Sequence, residues 1–246
     1  MGVEELLLVR HGESMGNVAA SAAEAAGAEV IEIGQRDADV PLSDTGIEQA
    51  RALGAGLREL PDHELPTTVW SSPYARAVQT GQIALQAAGL ALPFSVDERL
   101  RDRELGVLDL LTSRGVQARF PFEAQRRRWL GKFYHRPPGG ESWADLVLRV
   151  RSFLADLERL EEGQRVLVVC HDAMVLAFRY VCERLTEAQI LEIGATTPVI
   201  NVSMSRLVRP PGDRVWQLVT FNDVSHLHRH DVPVTRHEGD RDVQPR

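Results

Sequence analysis

The chain has 246 residues, enough for one large domain or two small ones, and an apolar fraction of 43%, ordinary for a globular protein. No apolar run approaches the roughly 18–20 residues that span a bilayer. A net charge of −7 excludes general attraction to nucleic acid or anionic membrane, so an anion site here must be a local cluster of Arg and His.

The chain opens Met1-Gly2-Val3-Glu4-Glu5, with acids where a secretory signal places basic residues, and Leu6 stands where a myristoylation site wants Ser or Thr. The expected compartment is the cytoplasm. Leu6 to Val9 is a short continuous apolar run, which predicts a strand buried on both faces, followed by a turn and helix from Gly12. Asp44-Thr45-Gly46 introduces a helix to about Leu60, where Pro61 stops it. Thr67 to Trp70 reads as a second strand, and Pro73 opens a helix to about Ala88, ended by Gly89. From 108 to 140 the pattern breaks down. This stretch carries Arg126-Arg127-Arg128 and ends in Pro137-Pro138-Gly139-Gly140, and reads as a helical or loop insertion over one edge of the sheet. The clearest helix starts near Ser142, with Asp145 completing a capping box. Its apolar face repeats through Leu160, and Gly163 ends it. Val166 to Cys170 predicts another buried strand, with a helix to about Leu185. Two further strands are expected near Val199–Val208 and Val215–Phe221.

Alternating strands and helices predict an α/β fold, a three-layer α/β/α sandwich with a mostly parallel sheet. Residues 1–222 would form a single domain, and 223–246 a polar C-terminal tail. Cys170 and Cys182 read as buried free thiols. His226, His228 and His230 alternate, but no carboxylate or cysteine motif accompanies them, so no metal site is assigned.

In an open parallel sheet, ligands bind beyond the carboxyl ends of the strands. The first strand ends in Arg10-His11-Gly12-Glu13-Ser14, and a later one in Cys170-His171-Asp172-Ala173. Each places a histidine where helix N–H groups favour an anion. Ser71-Ser72-Pro73-Tyr74-Ala75-Arg76 adds an arginine in the first turn of a helix, against the macrodipole, and a residue that breaks a local rule is a candidate for function.

Leu8-Val9-Arg10-His11-Gly12-Glu13-Ser14 resembles the signature of the histidine phosphatase superfamily, in its phosphoglycerate mutase-like branch. Asn17 follows at the expected offset. Pro41-Leu42-Ser43 with Gly46 and Gln49, Ser72-Pro73 with Arg76-Ala77 and Gln79-Thr80, Leu100 to Gly106, Gly140-Glu141-Ser142 and Val169-Cys170-His171 resemble further blocks in order. The resemblance implies that His11 is the nucleophile and becomes a phosphohistidine. It implies that Arg10 and Arg76 hold the phosphoryl oxygens, with a further hydrogen bond from Asn17 and a third positive group in His171 if that ring is protonated. A neutral imidazole is nucleophilic near pH 7, and arginine offers bidentate contacts to phosphate.

The acid that protonates the leaving oxygen aligns with Asp102, where the family usually has Glu. Glu104 is the nearest alternative, and pairing of both with neighbouring arginines is the bland reading. Arg127 and Arg128 are candidate ligands of a substrate carboxylate, or part of a solvated helix face. The block after Gly106 departs from the mutase pattern, which favours a metal-independent phosphomonoester hydrolase of a small phosphorylated metabolite. A phosphoglycerate mutase is the alternative, and only then would 2,3-bisphosphoglycerate be needed; otherwise no cofactor is required. A non-catalytic phospholigand-binding protein on the same fold is a third reading. A homodimer is admitted, though no motif encodes it.

Overall fold

The computed structural model describes residues 2–161, 164–210, 212–213 and 215–237. The strands are β1 (Glu5–Arg10), β2 (Thr68–Ser71), β3 (Phe94–Val96), β4 (Arg165–Cys170), β5 (Met204–Val208) and β6 (Gln217–Asp223). The helices are α1 (Met15–Ala26), α2 (Asp44–Arg58), α3 (Ala75–Ala88), α4 (Ser113–Arg119), α5 (Pro121–Leu130), α6 (Trp143–Leu160), α7 (Asp172–Cys182), α8 (Glu187–Thr196) and α9 (Ser225–Arg229).

The strands form one sheet in the order β3-β2-β4-β1-β5-β6. β3, β2, β4 and β1 run parallel, while β5 and β6 close one edge antiparallel. The apolar runs of β1 and β4 are continuous because both faces are covered. Leu6, Leu8, Val166 and Val168 pack with Leu146, Val150 and Phe153 of α6 and Phe178 of α7. Leu7, Val9, Leu167 and Val169 face the other way, against Leu53 and Leu57 of α2 and Ala77 and Ala84 of α3. This is the expected three-layer sandwich. Cys170 and Cys182 are buried free thiols, one in each of β4 and α7.

Several elements differ from the sequence reading. β3 and α8 were not expected, the first because three residues carry too little pattern. The helix expected from Pro73 starts at Ala75, with Tyr74 as its N-cap. The Ser142/Asp145 capping box opens α6 as expected. Gly163, expected to end that helix, lies outside the described residues. The strand expected from Val199 begins only at Met204, because residues 199–203 turn back to hold the loop after β1. There the Val202 N–H donates to the Arg10 carbonyl (3.0 Å), and Val202 takes a φ of 56°, rare for a β-branched residue.

The stretch 108–140 is helical, comprising α4 and α5, and α5 buries none of its residues. The chain beyond 222 does not leave the body at once. Leu227 and His226 of α9 are buried, and α9 packs on α2. Residues 238–246 lie outside the described residues. Among the described residues no helix is long and apolar enough to cross a membrane. Nor does any group of three or more His, Cys, Asp and Glu stand where it could hold a metal ion. His226 turns inward instead, and His230 sits 3.5 Å from Glu59.

Burial pushes the His226 imidazole down to about 4. In the unfolded chain it takes up a proton near its ordinary value of about 6.5. The folded state then binds fewer protons than the unfolded state across this window, so stability present above pH 6.5 is lost as pH falls toward 4. The melting temperature should drop over that interval, and His226→Gln should make the drop shallower. An unchanged slope in the variant would remove His226 from this account.

Candidate active site

The loop after β1 is held from several directions at once. The His11 N–H donates to the Cys170 carbonyl (2.9 Å), so the β1/β4 pairing continues one residue past the sheet. The Gly12 N–H donates to Thr80 Oγ1 (3.0 Å) and the Glu13 N–H to Gln49 Oε1 (2.9 Å). Ser14 caps α1, with Asn17 returning the capping-box bond. Asn201 Nδ2 donates to the His11 carbonyl (3.0 Å). At Gly46 a Cβ would lie 2.0 Å from the Glu13 carbonyl oxygen, so only glycine lets α2 approach this loop.

His11 is 3% exposed, and its Nδ1 lies 2.7 Å from the Gly12 carbonyl oxygen. A carbonyl can only accept, so Nδ1 carries the proton and Nε2 keeps its lone pair. Arg76 Nε–H donates to that lone pair at 3.3 Å. Burial, then the charge of Arg76, the cost of protonating His11 and His171 together, and the charge of Arg10, hold the His11 pKa well below the usual histidine range. His11 is therefore a neutral imidazole at pH 7.

Arg10, the last residue of β1, donates to the carbonyls of Val199 and His237, and its buried Nε has no hydrogen-bond partner among the described residues. His171 caps α7 and is fully buried, with its ring 5.1 Å from that of His11. Ser72 Oγ accepts from the Tyr74 N–H and lies 2.8 Å from His171 Nε2. Donation from this hydroxyl to Nε2 puts the His171 proton on Nδ1, facing Asp102 Oδ2 at 3.3 Å, though off the line of a hydrogen bond. Burial lowers the pKa of His171 while Asp102 pulls it up, and the net direction is down. That direction favours the neutral form of His171.

Asp102 joins the two halves of the centre. It accepts from Arg76 Nη2 (3.3 Å) and from the Arg103 N–H (2.8 Å). Burial opposes its ionisation, but His171, Arg76 and the Arg103 N–H outweigh burial and hold the carboxyl well below its usual range. Its loop is clamped by Arg149, which donates to the carbonyls of Arg99, Arg101 and Asp102, and by Glu141, which binds Arg101 and Arg149.

Arg10, His11, Asn17, Arg76 and Asp102 line one cavity of about 560 Å³, with His171 behind its wall. The sequence-predicted centre therefore converges. Glu104 does not line it and instead accepts from the Tyr74 hydroxyl (3.2 Å). Arg127 and Arg128 stand on α5, also away from the cavity wall. The cations beyond the centre are Arg103, Lys132 and Arg236, and the nearby acids are Asp37, Asp109 and Asp172. None of these six was singled out from sequence.

A family model described as the histidine phosphatase superfamily (branch 1) matches residues 6–224. The chain belongs to this superfamily. It is 34% identical over 197 residues to a 2,3-bisphosphoglycerate-dependent phosphoglycerate mutase of Methylobacterium radiotolerans, covering 79% of this chain and 86% of the relative. It is 32% identical over 170 residues to a 6-phosphofructo-2-kinase/fructose-2,6-bisphosphatase of Gallus gallus, a match covering 69% of this chain but 31% of that protein. Among solved structures, the mycobacterial glucosyl-3-phosphoglycerate phosphatase superposes with a TM-score of 0.69 at 27% identity, over 89% of this chain and 98% of that one. Members of the histidine phosphatase superfamily thus include both named phosphatases and named mutases among the similar proteins.

Proposed function

We propose that this chain is a metal-independent phosphomonoester hydrolase that works through a phosphohistidine on His11. The observation that carries the reading is the neutral His11 imidazole, its unprotonated Nε2 3.3 Å from Arg76 Nε in a cavity that Arg10 and Arg76 also line. Phosphoryl transfer needs positioning and fixed positive charge more than covalent help, and Arg10 and Arg76 supply both. Asn17, whose Oδ1 accepts from the Ser14 N–H, keeps its amide N–H groups for a phosphoryl oxygen. In the first step the Nε2–P bond forms as the ester P–O bond breaks, and the leaving oxygen takes a proton. In the second, water attacks phosphorus and the Nε2–P bond breaks, releasing inorganic phosphate.

Asp102 is the proposed proton carrier. Its carboxyl is held well below its usual range, but a phosphoryl dianion on Arg76 would place like charge beside it, which raises a carboxyl pKa. Asp102 then binds the proton it gives to the leaving oxygen and takes one back from water. Its side chain is one methylene shorter than the Glu of the family block, and the Arg149–Glu141 clamp on its backbone fixes where it reaches. Glu104 serves as a partner of Tyr74 and Arg101 instead.

The cavity favours hydrolysis of a substrate larger than a three-carbon acid. Ile31, Ile33, Leu110, Leu111 and Trp143 give it apolar wall. Arg103 makes no side-chain hydrogen bond or ion pair among the described residues, and burial lowers its pKa. It is the proposed contact for a second anionic group, in place of Arg127 and Arg128. Mutase activity is the second reading, favoured by the name of the 34% identical relative, and 2,3-bisphosphoglycerate would then prime His11. The proposed substrate is a small phosphorylated metabolite of the cytoplasm.

Incubation with a radiolabelled phosphodonor should label the wild type and leave His11→Ala unlabelled. Asp102→Asn should slow turnover of an aryl phosphate on the order of a hundredfold, with Glu104→Gln near wild type, and the reverse ranking would move the proton carrier to Glu104. A phosphometabolite screen with and without 2,3-bisphosphoglycerate separates the two activities. Release of inorganic phosphate independent of that compound supports the hydrolase, whereas phosphoryl exchange that requires it supports the mutase.

A further inference from the structure

A guanidinium has five N–H donors. In Arg76, Nε–H donates to His11 Nε2 (3.3 Å), and Nη1 donates to the Asp37 carbonyl (2.7 Å) and to Asp37 Oδ1 (2.9 Å). Nη2 donates to Asp37 Oδ2 and Asp102 Oδ2, both at 3.3 Å. Every donor of the arginine is engaged, and Asp37 takes three of them, two through a forked carboxylate of the kind that a phosphoryl group would present. His11 and Asp102 hold Arg76 as parts of the reacting centre. The Asp37 carboxylate is the contact that an incoming phosphoryl group must replace.

Asp37 is built to leave. It sits in the single turn Asp37–Asp39, whose N-cap Arg36 forks onto Asp39 (2.9 Å) and leaves the Asp37 side chain to Arg76. Its side chain is 42% exposed, while Arg76 is 5% exposed. The carboxylate can swing into water without being stranded as a buried charge, whereas Asp102 is pinned by the Arg103 N–H. Arg76 does not need the Asp37 carboxylate to stay in place. Asp102, His11, the Asp37 carbonyl and the Tyr74 ring, 4.9 Å from the guanidinium carbon, still fix it.

We infer that Asp37 is a specificity-determining residue, a resident anion that phosphoesters displace from Arg76 and that competes with product phosphate for the same donors. This rests on the reading of the site as a phosphoryl-transfer centre. A substrate gains further contacts along the cavity wall and so overcomes the competition. Free phosphate has no such contacts, so the returning carboxylate expels it.

The test is calorimetric titration of inorganic phosphate into the full-length wild type, Asp37→Asn and Asp37→Ser, alongside kinetics on p-nitrophenyl phosphate. Losing one charged competitor should tighten phosphate binding by about tenfold or more in both variants. The KM for p-nitrophenyl phosphate and the inhibition constant of phosphate should fall with it. Binding that is unchanged, weaker or undetectable in variants that melt at the wild-type temperature would overturn the inference and make Asp37 a support of Arg76 or a bystander. If the wild type hydrolyses no phosphoester, the hydrolase reading fails, and the titration still decides the role of Asp37.

Discussion

The hydrogen bond from His11 Nδ1 to the neighbouring Gly12 carbonyl sets the terms for everything around it. It assigns the proton to one ring nitrogen and leaves the other bare. Burial and three flanking basic groups then make a second proton unfavourable. An imidazole in this state is a nucleophile without a general base beside it. In the proposed reaction the same arginines that suppress its protonation would receive the anion that it attacks, so one set of charges would both tune the nucleophile and bind the substrate.

The fold serves that loop more than any single side chain does. β1 delivers Arg10 and His11 at the end of a fully buried strand, and β4 delivers His171 from the adjacent one. α2 closes on the loop at Gly46, and α3 supplies Arg76 and Thr80. The C-terminal segment also enters. Gln49 binds the Pro233 carbonyl and Thr235, while the His237 ring lies 3.0 Å from Glu13 and 2.7 Å from Ser21 Oγ. The loop is thus tied to residues from nearly the whole length of the chain, which makes the centre an outcome of tertiary packing.

The parts legible in the sequence are those with a local signature. Continuous apolar runs gave β1 and β4, the helical repeat after Ser142 gave α6, and the dipole-opposing Arg76 stood out because it broke a rule within its own turn. The missed parts depend on contacts between distant residues. Asp37 lies in a turn without periodicity, and nothing near it announces Arg76. Arg103 reads as one charge in a charged stretch, and its place in the cavity wall is visible only in three dimensions. Residues 199–203 read as a strand because Val199, Ile200 and Val202 have strand chemistry, yet their backbone is spent on the loop after β1. Glu141 was visible in a family block, but its task, fixing the Asp102 loop with Arg149, was not. Arg127 and Arg128 drew attention as a charge cluster, although neither lines the cavity.

The central claim is that His11 is neutral, with its proton on Nδ1. Nitrogen-15 NMR of histidine-labelled protein at pH 7, assigned with a His11→Gln variant, reads the tautomer and charge of this ring directly. The account predicts one protonated Nδ1 and one unprotonated Nε2, unchanged down to pH 6. An imidazolium pattern, or a proton on Nε2, would contradict it.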